Sequence, residues 1–199
     1  MSKKSFGIIG NPVSHSLSPV LHNYWFNKYN IEATYSLFNI QEQEIETIVK
    51  KIKDKKLSGV NVTLPYKQKI IPFIDQLVND AKSTNSVNTI FMDEDETLVG
   101  ENTDVFGLQA AYLKEIPDIE NKKALVIGAG GVSPSVIFSL QKSKIQEVAI
   151  INRTHEKSIF LKKKFNLLNI LSWSSFQKEI GNFDIIVNAT SLGLKGFVT

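Results

Sequence analysis

Cysteine is absent from the 199 residues, which excludes disulfides, thiolate metal sites and cysteine nucleophiles. Histidine is scarce. His15, His22 and His155 show no HExxH or comparable ligand spacing, so a metal site has no support. Long apolar runs are missing too: nothing approaches the roughly 20 residues of a membrane span. The apolar stretch after Met1-Ser2-Lys3-Lys4 ends within a few residues at Asn11-Pro12, too short for the core of a signal peptide. These absences predict a cytoplasmic chain without a membrane partner. Arginine is all but missing: Arg153 stands alone, and the rest of the 23 Lys and Arg residues are lysines.

The remaining composition is that of a soluble globular protein, 42% hydrophobic and 22% charged. A chain of this length can bury one large core or two small ones. Net charge is only +3 and the lysines are scattered, so a nucleic-acid partner is not expected. Lys162-Lys163-Lys164 is the one basic run, and with Ile159, Phe160 and Phe165 it reads as the solvated side of a helix.

Along the chain, strands and helices alternate. Phe6-Gly7-Ile8-Ile9 reads as a strand, and Ser18-Pro19 opens a helix with serine as cap and proline at the first helical position. Tyr35 to Ile40 follows as a strand, then an amphipathic helix from Glu42 to Lys53 with Ile45, Ile48, Val49 and Ile52 on one face. Val60 to Leu64 and Ser86 to Phe91 are further strands, the second paired with Thr97 to Val99. A helix runs from Asp104 to about Ile116. Ala124-Leu125-Val126-Ile127 is wholly apolar, as suits the buried centre of a parallel sheet. Ser133-Pro134 repeats the cap-and-proline device. Val148 to Ile151, helices near Glu156 to Phe165 and Ser174 to Ile180, and Phe183 to Val187 continue the pattern. The expected class is α/β with mainly parallel sheets, in two domains, 1–103 and 104–199.

Gly128-Ala129-Gly130-Gly131-Val132-Ser133 lies between the apolar strand and the next helix. Glycines there allow a tight turn and close backbone approach, and a helix N-terminus favours a pyrophosphate. Ser133 stands where a third glycine is usual. About 20 residues further on, where an NAD site carries an acid, the strand ends in Asn152-Arg153-Thr154. A guanidinium binds phosphate bidentately, which an ammonium cannot do. This spacing predicts an NADP site of Rossmann type.

The first half places polar groups oddly. Three serines, among them Ser16 and Ser18, precede the first helix. Strand alternation puts Asn61 and Thr63 on one face, opposite Val60 and Val62. Buried amides and hydroxyls need partners, and a ligand is one way to supply them. Lys67, read as lying in the first helical turn after Pro65, would oppose the helix dipole at a cost of a few tenths of a kcal/mol or more. That placement suits an anion or a proton, although a plain surface lysine explains it equally well. Asp104 fits equally a helix start.

Taken together, the chain resembles shikimate dehydrogenases. The matching motifs are Gly10-Asn11-Pro12 with Ser14-His15-Ser16-Leu17-Ser18-Pro19, then Asn61-Val62-Thr63-Leu64-Pro65-Tyr66-Lys67 and Val87-Asn88-Thr89. Asn102-Thr103-Asp104, Gly128 to Ser133, Asn152-Arg153-Thr154 and Asn188-Ala189-Thr190-Ser191-Leu192-Gly193 follow in order. The resemblance implies NADPH-dependent reduction of 3-dehydroshikimate to shikimate, on the route to aromatic amino acids. It further implies a substrate domain followed by a Rossmann-type, doubly wound NADP domain.

By the same resemblance, Ser16 and Ser18 hold the substrate carboxylate, while Thr63, Asn88 and Asn61 bind its carboxylate and hydroxyls. Lys67 and Asp104 flank the reacting oxygen, with Lys67 as general acid and Asp104 fixing the lysine and a substrate hydroxyl. Gly128, Ala129, Gly130, Gly131, Val132, Asn152, Arg153 and Thr154 hold NADP(H). A monomer or homodimer is implied, with small-molecule ligands only.

Members of the family run on for several tens of residues beyond Gly196-Phe197-Val198-Thr199. The resemblance thus implies a cofactor domain incomplete at its C-terminus, with an open sheet edge and a tendency to associate. Two alternatives stay open: a quinate/shikimate dehydrogenase, which Ser16 and Ser18 do not suggest, and a non-catalytic relative that binds without turnover.

Overall fold

The computed structural model describes residues 3–193; Met1-Ser2 and residues 194–199, with the Gly196-Phe197-Val198-Thr199 end, lie outside the described residues. The chain forms two compact units, 1–102 and 103–199.

In the first unit, β1 (Lys4–Gly10), α1 (Ser18–Lys28), β2 (Ala33–Asn39), α2 (Ile45–Lys53) and β3 (Gly59–Val62) form a parallel start. They are followed by β4 (Gln76–Leu77), α3 (Asp80–Thr84), β5 (Thr89–Met92) and β6 (Leu98–Glu101). The sheet order is β2-β1-β3-β5-β6-β4, and β5 runs antiparallel to both β3 and β6. The sheet is therefore mixed, with three parallel pairings and two antiparallel ones. The short connection from β5 to β6, with its Asp93 to Thr97 turn, permits the antiparallel pairing, since only parallel neighbours need a crossover.

The α2 face is as its sequence pattern dictates. Ile45, Ile48, Val49 and Ile52 are all buried against Ile9, Val60, Val62 and Ile90 on one side of the sheet. On the other side, Ile8, Tyr35 and Val13 form a smaller cluster with Phe6 and Phe26. Strand alternation thus sends Val60 and Val62 into the larger core and leaves Asn61 on the opposite face.

The second unit contains α4 (Asp104–Ala111), β7 (Lys123–Ile127), α5 (Ser133–Lys142), β8 (Glu147–Ile151) and α6 (His155–Lys164). Its last elements are β9 (Leu168–Leu171), α7 (Phe176–Glu179) and β10 (Ile185–Asn188). All its pairings are parallel, in the order β10-β7-β8-β9. Ala124, Leu125 and Val126 have no exposed surface, because apolar layers cover both faces of β7. The chain runs outward from β7 through β8 to β9, then returns to place β10 beside β7. That return creates the topological switch point at which open α/β sheets bind ligands.

Several local expectations are corrected. Ser18 and Ser133 are the first helical residues rather than caps, and neither helix has a side-chain cap. The Ser133 hydroxyl instead donates to the Gly128 carbonyl. No helix begins at Pro65; Lys67 lies in an irregular turn, so the helix-dipole argument for it falls. In α6 the buried residues are Ser158 and Leu161, while Phe160 is exposed. The helix from Asp104 stops at Ala111, because Tyr112 leaves helical geometry.

Candidate active site

In the first unit the polar residues singled out by sequence converge. Pairing of Ile8 with Asn61 and of Asn61 with Thr89 sets the β3 amide beside the β5 hydroxyl on one sheet face. The Asn61 carboxamide donates to Thr89 Oγ1 at 3.0 Å and to the Asn88 carbonyl at 3.2 Å. The Thr89 hydroxyl in turn donates to Asn88 Oδ1 at 3.0 Å. At the start of α1, the Ser16 hydroxyl donates to Ser18 Oγ at 3.1 Å and accepts the Ser18 N–H.

One residue that sequence reasoning passed over extends this network. Tyr35 donates its phenolic proton to Asn61 Oδ1 at 2.6 Å, and the Ser18 hydroxyl lies near the same phenol. Its ring stacks on His22 at 4.3 Å between centroids. Burial pushes the Tyr35 phenol up to about 12, although the nearby Ser18 hydroxyl opposes the shift, so the phenol keeps its proton throughout the working pH range.

Thr63 sits just past β3. Its N–H is bonded to the Ile9 carbonyl, and its methyl fills the space that a side chain on Gly10 would occupy. Lys67 is buried, with 9% of its surface exposed. The Lys67 carbonyl accepts the Val87 N–H, and the Asn88 carbonyl accepts the Val62 N–H. These two bonds bring the Lys67 turn alongside the Asn88 segment. Asn102 is buried and donates to Thr84 and to the Ser86 carbonyl, which holds the end of β6 to the loop before Asn88. Asp104 is the first residue of α4, in the second unit.

In the second unit, the glycine loop is fixed from three sides. Gly128 has φ of +103°, and a Cβ there would come within 2.7 Å of the Thr190 methyl, so only glycine fits. Its N–H donates to the Ile151 carbonyl at 2.8 Å. Asn152 accepts the Ala129 N–H and donates to the Thr154 carbonyl, tying the loop to the end of β8. Gly130 differs. A Cβ there would meet only the Ala189 carbonyl, at 3.5 Å, so the protein's own packing does not demand the missing side chain. Room beside a backbone that leads into the N-terminus of α5 fits a pyrophosphate. Val132 precedes α5 and packs on the core below. Arg153 is exposed, and among the described residues no carboxylate pairs with it. A guanidinium so placed fits the 2′-phosphate of NADP.

Both units match known sequences. Residues 8–90 match the description "Shikimate dehydrogenase substrate binding domain", and residues 110–194 match "Shikimate / quinate 5-dehydrogenase". The chain belongs to the shikimate dehydrogenase family. It is 46% identical over 193 residues to the shikimate dehydrogenase (NADP(+)) of Pelagibacter ubique, covering 97% of this chain and 71% of the relative. The crystal structure of shikimate dehydrogenase from Aquifex aeolicus superposes with a TM-score of 0.90 at 38% identity, covering 99% of this chain and 72% of that one. The enzyme from Thermus thermophilus, solved in complex with NADP(H) and shikimate, gives 0.82 at 31% identity, covering 96% and 70%. Among the described residues, no helix is long and apolar enough to cross a membrane, and no cluster suits a metal ion.

Proposed function

We propose that this chain reduces 3-dehydroshikimate to shikimate with NADPH, reversibly, and that its own residues divide the work between the two units. The observation that carries the reading is the hydrogen-bonded series from Tyr35 through Asn61 to Asn88, with the Ser16–Ser18 pair at the start of α1 and the buried Lys67 turn. Ser16 and Ser18 take the substrate carboxylate, while Thr63, Asn61 and Asn88 take its carboxylate and hydroxyls. Donor arithmetic refines the role of Asn61: both amide hydrogens are committed, so it can only accept from a substrate hydroxyl.

Gly128, Ala129, Gly130, Gly131 and Val132 cradle the pyrophosphate, and Asn152, Arg153 and Thr154 hold the adenosine end with its 2′-phosphate. Held by these residues, NADP(H) would supply the hydride chemistry at the substrate carbon. Lys67 gives a proton to the carbonyl oxygen as it becomes a hydroxyl and takes it back in the reverse direction. Asp104 orients Lys67 and a substrate hydroxyl. The same reading makes the chain a cytoplasmic monomer or homodimer with small-molecule ligands only.

The test is NADPH formation by the purified 199-residue chain given shikimate and NADP+ at mildly alkaline pH. Turnover is expected. Binding of either ligand without turnover would leave a binding protein, and binding of neither would end the proposal.

The glycine loop offers a paired prediction. Gly128→Ala loses about 1–3 kcal/mol of stability in denaturant unfolding, from positive φ and the clash with Thr190. Gly130→Ala stays within about 0.5 kcal/mol of the parent, because its methyl meets only an ordinary contact, yet it weakens NADP+ binding by filling the phosphate space. Equal unfolding midpoints for the two variants would contradict this account of the loop.

A further inference from the structure

Resting on the substrate-site reading above, we propose that Tyr35 is a positioning residue of that site, its hydroxyl setting the orientation of the Asn61 carboxamide. Tyr35 is 5% exposed, so its hydroxyl must be satisfied inside the protein. Asn61 Oδ1 supplies this as the acceptor, at 2.6 Å. On the β5 side the Asn88 carbonyl can only accept, and the Thr89 hydroxyl is spent on Asn88 Oδ1, so that side takes the nitrogen end; the phenol is the donor that satisfies and aims the oxygen end. With it, the oxygen end is fixed toward Tyr35 and the nitrogen end toward Thr89 and Asn88.

The consequence is one of specificity. A fixed Asn61 oxygen, already accepting one hydrogen, presents its remaining lone pair to a substrate hydroxyl and rejects an acceptor at that point. The Ser16 and Ser18 hydroxyls bond to each other and not to Asn61, so engaging the acid end of the substrate leaves the phenol's donation to Asn61 intact. The His22 ring, stacked at 9° on Tyr35, holds the phenol from turning away.

Tyr35→Phe preserves the ring and its stack and removes only the hydroxyl. In calorimetric titration the parent chain binds shikimate, and Tyr35→Phe weakens that binding about tenfold, the loss of about one hydrogen bond's net worth. NADP+ affinity is unchanged. In steady-state kinetics the defect falls on KM for shikimate rather than on kcat. The decisive comparison is with Asn61→Ala. If Tyr35 acts through Asn61, Tyr35→Phe/Asn61→Ala binds shikimate no worse than Asn61→Ala alone.

Should Tyr35→Phe lose its cooperative melting transition, the double variant, in which both partners are removed, still carries the comparison against Asn61→Ala. An unchanged shikimate Kd in Tyr35→Phe, or an equal tenfold loss in both backgrounds, would overturn the positioning role while leaving the enzyme reading intact. A parent chain that binds no shikimate would overturn both.

Discussion

Lys67→Ala lowers kcat for shikimate oxidation by about 10³-fold, roughly 4 kcal/mol in the barrier, while the shikimate Kd rises only a few-fold. An ammonium is strongly hydrated, and keeping Lys67 at 9% exposure is unfavourable unless the surroundings use its charge. The turn that carries it gives the backbone its own reason to exist. The Lys67 carbonyl accepts the Val87 N–H, and Tyr66 closes onto Thr63, so shortening the side chain leaves the turn in place. Alanine therefore removes the proton carrier without removing the scaffold, and the melting temperature stays near that of the parent.

A lysine that served only as an electrostatic anchor for the substrate would give a different result. Its loss would raise KM and leave kcat alone, because ground state and transition state would be weakened equally. Steady-state kcat and KM, set beside an equilibrium Kd from calorimetry, separate the two. A variant that turned over at the parental rate would remove Lys67 from the mechanism.

How much of this was legible beforehand depended on distance along the chain. The apolar run Ala124 to Ile127, the glycine loop after it and the Ile45/Ile48/Val49/Ile52 face of α2 are local patterns, and each lies where its period placed it. β9 went unread because Leu167, Leu168, Ile170 and Leu171 form a nearly continuous apolar run that neither a two-residue nor a helical period resolves. β4 and α3 are too short, at 2 and 5 residues, to carry a period at all.

Both serine-proline pairs depart from the cap pattern for one reason. A hydroxyl at a helix start can cap it, but each has another partner: Ser18 with Ser16, Ser133 with the Gly128 carbonyl. Ser133 thereby turns a departure from the glycine pattern into a brace for the loop. Lys67 was singled out on a mistaken premise, a helix after Pro65, and its burial in an irregular turn has no local sequence signature. Tyr35 was hidden most deeply. An aromatic residue in a strand is ordinary, and its meaning appears only when β1 and its two neighbours are in register, setting it near an asparagine 26 residues away.

Arg153→Ala weakens NADP+ binding about 100-fold and leaves NAD+ nearly unchanged. The guanidinium stands beyond the last residue of β8 and before the first turn of α6, at the strand end where the adenosine ribose of a dinucleotide lies. It is exposed and has no carboxylate partner among the described residues, so no internal bond must break before a phosphate can be gripped. Two charge-assisted bonds from a planar fork, each worth about 1.5 kcal/mol net, come to about 3 kcal/mol, which is roughly two decades in Kd. Asn152 beside it carries no charge and is occupied with the Ala129 N–H and the Thr154 carbonyl, so it cannot substitute for the lost cation. Arg153→Lys recovers the point charge but not the fork, and its Kd for NADP+ falls between the two. Because the pair is exposed, the NADP+ preference of the parent shrinks as salt is raised, whereas the small preference left in Arg153→Ala does not change. Titrating both dinucleotides into the three proteins at low and high salt tests each step. An equal loss for NAD+ and NADP+ in the alanine variant would sink the 2′-phosphate assignment and make Arg153 a support of the β8–α6 turn, serving any dinucleotide alike.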